Sequence, residues 1–154
     1  MIDHANIVVS DIERAAKFYG EVLNLSRGFE KTLEGAWIDR VTGVCGARAL
    51  CVFMEAGREN DGTPRTRIEL LQFLTPEGAA LPENSRPNTR GIRHIAFTVE
   101  DLEALIEKLR AWNVEIVSEP VEVPFAVGSL GRKRLFYFYD PEGNLLEAAA
   151  YSEG

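Results

Sequence analysis

Hydrophobic and polar positions along this chain follow one pattern that appears twice, ninety residues apart. The first copy opens on "DHANIVV" (3–9), where Ala5, Ile7 and Val9 alternate with His4, Asn6 and Val8. Side chains alternate along a strand, so the two sets face opposite ways. "SDIERAAKFYGEVLNL" (10–25) then places Ile12, Ala15, Ala16 and Tyr19 at helical spacing, with Ser10 and Glu13 positioned as a capping box. The second copy repeats both elements. In "RHIAFTV" (93–99), Ile95, Phe97 and Val99 alternate with His94, Ala96 and Thr98. Leu102, Leu105, Ile106 and Leu109 reproduce the helical stripe position for position.

Further strands are predicted after each helix. In the first copy these are 36–41 ("AWIDRV"), 48–54 ("RALCVFM") and 67–73 ("RIELLQF"). In the second they are 114–119 ("VEIVSE"), 134–139 ("RLFYFY") and 144–151 ("NLLEAAAY"), with "DPEGN" (140–144) as the turn between the last two. "TPEGAALPENSRPNTRG" (75–91), rich in Pro, Gly and Asn, reads as a linker. The expected fold class is therefore α+β: two βαβββ modules, residues 1–74 and 92–151, each with one helix on a mixed, mostly antiparallel sheet. Each sheet has one face for the helix and one left open. Two open faces brought together would enclose a cavity.

Composition narrows the partners. The 154 residues carry a formal net charge of −7, and binding to nucleic-acid phosphates needs a clustered basic surface, so no nucleic-acid partner is expected. No apolar run approaches the ~18 residues of a membrane span. The chain's first residues lack the basic-then-apolar order of a secretion signal, so a cytoplasmic protein is expected. Cys45 and Cys51 are the only cysteines and read as reduced thiols, small side chains near a strand rather than a zinc site.

The chemistry lies on the open faces. The chain has two histidines, His4 and His94, at equivalent places in the two copies, on the strand face away from the helix. Each has short or polar neighbours (Asn6; Ala96 and Thr98) that leave room beside it. The last strand of each copy carries a glutamate inside an apolar run, Glu69 in the first and Glu147 in the second. Glutamate is disfavoured in strands and costly to bury unpaired, so each carboxylate calls for a cation. Neutral imidazoles and carboxylates suit Zn²⁺, Ni²⁺, Co²⁺, Mn²⁺ or Fe²⁺.

These residues, with the segments "IDHANIVVSDIERAAKFYGEVLNL", "TRIELLQF", "GIRHIAFTVEDLEALIEKL" and "YFYDPEGNLLEAAAY", make the chain resemble the vicinal oxygen chelate superfamily over residues 2–151. That group includes glyoxalase I, methylmalonyl-CoA epimerase, extradiol dioxygenases and bleomycin-resistance proteins. The resemblance implies a bowl of strands around a divalent transition metal held at the positions of His4, Glu69, His94 and Glu147. It also implies a small substrate that chelates the metal through adjacent oxygens. A set of two His and two Glu is similar to that of the lyase and isomerase branch, where a carboxylate beside the metal moves a proton next to a carbonyl through an enolate. Glu147 and Glu69 are then both ligands and base candidates.

Two alternatives stay open. One is an Fe(II) dioxygenase: the extradiol type is weakened by the lack of a third histidine as acid/base, and a type that uses only two His and one Glu stays open. The other is a bleomycin-resistance-type binding protein, weakened because such proteins generally lack the ligands present here. Glutathione or coenzyme A dependence has no residues to point to. Weaker substrate-binding candidates are Arg67, on the strand face of Glu69; Trp37, Phe125 and Tyr137 as possible cavity lining; and Tyr151, on the strand face of Glu147. The loop 127–134 ("VGSLGRKR") is read as solvated, with a lid whose basic residues meet a carboxylate or phosphate as the alternative. The pairing of open faces leads us to expect a homodimer.

Overall fold

The computed structural model describes residues 2–60, 62–82 and 86–152. The chain divides into two compact units, Met1–Ala80 and Leu81–Gly154. The boundary falls inside the predicted linker, whose residues 83–85 lie outside the described ones.

The first unit runs β1 (Ala5–Val8), α1 (Ile12–Leu23), β2 (Ser26–Glu34), α2 (Ala36–Thr42), β3 (Arg48–Arg58) and β4 (Pro64–Thr75), in a sheet of order β1-β4-β3-β2. The second runs β5 (His94–Thr98), α3 (Leu102–Ala111), β6 (Val121–Glu122), a short 3₁₀ turn at Gly128–Leu130, β7 (Arg132–Tyr139) and β8 (Leu145–Ser152), in the order β5-β8-β7-β6. The two orders correspond strand for strand. In each sheet the first strand is parallel to the last, and the other neighbours are antiparallel. The α+β class with two mixed, mostly antiparallel sheets is thus the observed one.

The helices form for the expected reason. On α1 the buried side chains are Ile12, Ala15, Ala16, Phe18, Tyr19 and Val22, and on α3 they are Leu102, Leu105, Ile106 and Leu109. Ile7 and Phe97 are buried on the strand faces that alternate with the histidines. The cap of α1 differs from expectation. Asp11, not Ser10, is the N-cap of α1, its carboxylate accepting from the Arg14 N–H at 3.0 Å. Asp101 does the same for α3, accepting from the Ala104 N–H at 2.8 Å. An aspartate one residue closer to the helix satisfies an orphan N–H directly.

Two predicted strands are corrected. Residues 36–41 are helical, within α2. Gly35 (φ 95°) turns the chain into α2 and Gly43 (φ 71°) ends it in the left-handed region. Asp39 then ties the helix to the following loop by accepting from the N–H groups of Gly46 and Ala47. Trp37, Ile38 and Val41 lie at helical spacing, though only Ile38 is buried. The strand that fills the place is β2, which shows no apolar alternation because its positions are mostly exposed and interspersed with the charges of Arg27, Glu30, Lys31 and Glu34, as befits a sheet edge. Residues 114–119 form a single bridge, Ile116 to Phe138, rather than a strand. Pro120 and Pro124 flank the stretch that follows, lack the N–H a ladder needs, and leave only the two-residue β6 between them.

Candidate metal centre

In the first unit the β1–β4 register sets Asn6 opposite Glu69, and β3 sets Phe53 opposite Glu69 on its other side. Residues directly opposite in a ladder share a face, so Asn6, Glu69 and Phe53 form a row across the open face. His4, two residues before Asn6, reaches this row from just ahead of β1. Its Nε2 lies 3.3 Å from Glu69 Oε2, and its ring meets Phe53 edge-on, with centroids 5.5 Å apart.

The second unit repeats the arrangement. Ala96 and Tyr137 flank Glu147 in the ladder. His94 Nε2 lies 3.4 Å from Glu147 Oε2, and the His94 ring sits 5.0 Å from that of Tyr137. Each unit therefore carries a half-site of histidine, glutamate and aromatic ring, built at equivalent ladder positions.

The donor chemistry and spacing fit a divalent transition metal. Two donor atoms each ~2.1 Å from one cation stand roughly 3.0–3.4 Å apart, the separation seen in both pairs. Among the described residues, no group of three or more His, Cys, Asp or Glu side chains is gathered as a metal cluster; the unit built by the fold is the pair.

The two half-sites differ in what surrounds the pair. In the first, Asp3 Oδ2 lies 2.6 Å from His4 Nδ1, and Arg67 donates to both Asp3 oxygens, at 3.0 and 3.1 Å. The His4 hydrogen bond, followed by the charge of Arg67, holds the Asp3 carboxyl below its usual range. Asp3 is thus an acceptor on the Nδ1 side of His4, the arrangement by which a carboxylate behind a histidine ligand orients the ring so that Nε2 is turned toward Glu69. Glu69 accepts from Asn6 Nδ2 at 3.0 Å, and Cys51 Sγ lies 3.5 Å from its other oxygen. Burial, and next the charge of Glu69, push the Cys51 thiol up to about 12. In the second half-site, Lys133 donates to Glu147 Oε1 at 2.5 Å. That bond keeps the lysine ammonium charged, its pKa raised above the ordinary value.

The weaker candidates separate. Tyr137 is part of the second half-site. Arg67 reaches the first through Asp3 and lies over the Phe53 ring, 4.4 Å from its centroid. The ring centre of Tyr151 lies 5.8 Å from the Lys133 ammonium, and Tyr151, with Ser152 and residues 126 and 128–131, lines a cavity of about 480 Å³. Trp37 is half exposed on α2, and Phe125 is largely exposed in the loop after β6; neither is placed in a half-site by the contacts observed. The sequence reading missed Lys133 and Asp3. For Lys133 the signal was parity: it shares its strand face with Tyr137 and pairs with Tyr151, while Arg132 and Arg134 lie on the other face, where Arg134 is ion-paired with Glu103 of α3. Asp3 was legible only as the neighbour of His4.

A duplicated α+β unit bearing one His–Glu pair per copy is the class of protein that the fold and half-sites define. The chain belongs to the Glyoxalase/Bleomycin resistance protein/Dioxygenase superfamily, whose family model matches residues 1–148. It is similar to a 2-epi-5-epi-valiolone epimerase from Actinomyces, 28% identical over 95% of this chain and 76% of that protein. Its fold is similar to the crystal structure of a glyoxalase family protein from Bacillus cereus, with a TM-score of 0.82 and 31% identity over 99% of this chain and 94% of that one. A glyoxalase I variant from Zea mays shares the fold, with a TM-score of 0.64 at 20% identity, over 95% of this chain and 43% of that one. No helix among the described residues is long and apolar enough to cross a membrane.

Proposed function

We propose that this chain is a metal-dependent lyase or isomerase of glyoxalase type, in which His4, Glu69, His94 and Glu147 together hold one divalent cation, within a chain or across a homodimer. The observation that carries this reading is the matched pair of half-sites, with Nε2–Oε2 separations of 3.3 and 3.4 Å at equivalent ladder positions. When bound, the cation (Zn²⁺, Ni²⁺, Co²⁺, Mn²⁺ or Fe²⁺) supplies Lewis acidity to a substrate that chelates through adjacent oxygens.

The chain's own side chains supply the rest. His4 and His94 present neutral nitrogen donors. Asn6 orients the Glu69 carboxylate, and Lys133 orients that of Glu147. One of these carboxylates takes the proton from the carbon next to the substrate carbonyl and returns it, the role a positioned general base performs. The relative named as an epimerase supports the isomerase side of this reading.

The test is elemental analysis of the purified protein, then turnover of 2-oxo and hemithioacetal substrates in deuterated water after metal exchange. Solvent deuterium in the product without oxygen uptake is the expected result. Oxygen uptake matched to turnover with Fe²⁺ would establish the dioxygenase instead. A protein that takes up no metal but holds a drug-like ligand would establish sequestration. The homodimer is proposed because each four-stranded sheet carries its helix on one face and leaves the other to be covered. Sedimentation at low micromolar concentration tests it, and a stable monomer rejects it.

A further inference from the structure

The two glutamates, alike in register, are unlike in charge balance. Glu69 is met by neutral donors, Asn6 Nδ2 and Cys51 Sγ, and its side chain is 18% exposed. Glu147 is more deeply buried, with a side chain 5% exposed, and its Oε1 is held by the Lys133 ammonium, itself only 18% exposed. Lys133 pairs with Tyr151 in the β7–β8 ladder. The equivalent position in the first sheet, opposite Phe73 and four residues beyond Glu69, is Ala49, which carries no charge. The lysine therefore belongs to the second half-site alone and not to the repeat.

We infer that Lys133 is a positioning residue that serves as the built-in counter-ion of Glu147 and competes with the metal for it. The inference rests on the metal reading above. Its physical basis is direct. A carboxylate this buried needs a positive partner in the absence of metal, because an unpaired buried charge is strongly destabilising. Lys133 is that partner, and by taking Oε1 it leaves Oε2 as the oxygen beside His94 Nε2. A cation arriving at His94 and Glu147 meets a carboxylate already neutralised, with a second positive charge close by. The second half-site is then the weaker one, and Lys133 sets how tightly the whole site holds its metal.

Co²⁺ alone is the probe, titrated into the metal-free protein, with visible absorption and thermal unfolding as readouts. Lys133→Met is expected to bind Co²⁺ about tenfold more tightly than the parent, the effect of removing one nearby positive charge in a partly shielded site. Its metal-free form should melt lower, and Co²⁺ should raise its Tm by more. Lys133→Arg should return the affinity to the parent value. Lys133→Gln, which keeps a donor for Oε1 without the charge, should tighten binding like the methionine variant and covers the case in which that variant does not fold. The double variant Lys133→Met with Glu147→Gln should lose the gain. Folded Lys133 variants that bind Co²⁺ no more tightly than the parent would overturn the inference while leaving the metal reading standing. Absence of Co²⁺ binding in the parent and in every Lys133 variant would overturn the metal reading itself. Binding in the uncharged variants but not in the parent would support both.

Discussion

Asp3 holds His4 by the ring edge that Glu69 does not face: Asp3 Oδ2 is 2.6 Å from Nδ1, and Glu69 Oε2 is 3.3 Å from Nε2. An acceptor on Nδ1 holds the ring edge-on and keeps Nε2 turned toward Glu69, where a cation would be bound. Removing the acceptor frees the ring to rotate away from Glu69. Asp3→Ala is expected to lower Zn²⁺ affinity about 10–100-fold, the usual cost of losing a carboxylate behind a histidine ligand. Calorimetric titration of the metal-free protein measures this. An unchanged affinity would show that His4 is oriented by Phe53 alone.

His94 and Glu147 should fail in different ways. His94→Ala removes a neutral donor and chiefly lowers metal content. Glu147→Gln keeps an oxygen that can coordinate but removes a base, so some metal remains while proton exchange from deuterated water into substrate falls by about 10²–10⁴-fold. Metal analysis beside deuterium incorporation separates the two effects. Equal loss of both quantities in both variants would assign Glu147 a ligand role without a base role.

The two caps give a test of the repeat that does not depend on activity. Asp11 and Asp101 accept from Arg14 N and Ala104 N in the same geometry, with φ of −139° and −134°. Asp11→Ala and Asp101→Ala should each destabilise the protein by about 0.5–2 kcal/mol, as measured by urea unfolding. Ser10→Ala should cost less than Asp11→Ala, which distinguishes the observed cap from the capping box expected from sequence.

Cys45 and Cys51 should differ in reactivity. Cys45 is exposed, whereas Cys51 is buried, with its thiol pushed up to about 12. The thiolate is the nucleophile, so a raised value keeps Cys51 in its unreactive protonated form at neutral and mildly alkaline pH. Iodoacetamide on the folded protein should modify Cys45 alone, and both thiols after unfolding, by mass spectrometry. Equal rates in the folded state would contradict the burial of Cys51.

The parts of the fold written as alternation or as a repeat were legible in the sequence. His4 and His94, Glu69 and Glu147, and the stripes of α1 and α3 appear twice at fixed offsets, and each copy checks the other. What had no twin was harder to read. Among the described residues α2 has no counterpart in the second unit, and its sequence reads equally well as a strand, since a short run such as Trp37, Ile38 and Val41 has too few apolar positions to separate one period from the other. β2 carries its charges on both faces as an edge strand and so shows no alternation to detect. Asp3 and Lys133 were missed because each breaks the symmetry that revealed the rest: their counterparts are Arg93 and Ala49.

The borders of the two sheets bear on how the protein behaves when concentrated. β1 has four residues and β5 five, β6 is reduced to two, and the nine-residue β2 is kinked by a bulge between Arg27 and Glu30 and lined with charge. A neighbouring molecule would find on these outermost strands only brief or charged stretches of backbone to pair with, and long flat apolar borders are what seed fibrils. Crowded solutions of this protein should therefore remain clear, without the thioflavin-positive deposits that strand-on-strand polymerisation produces.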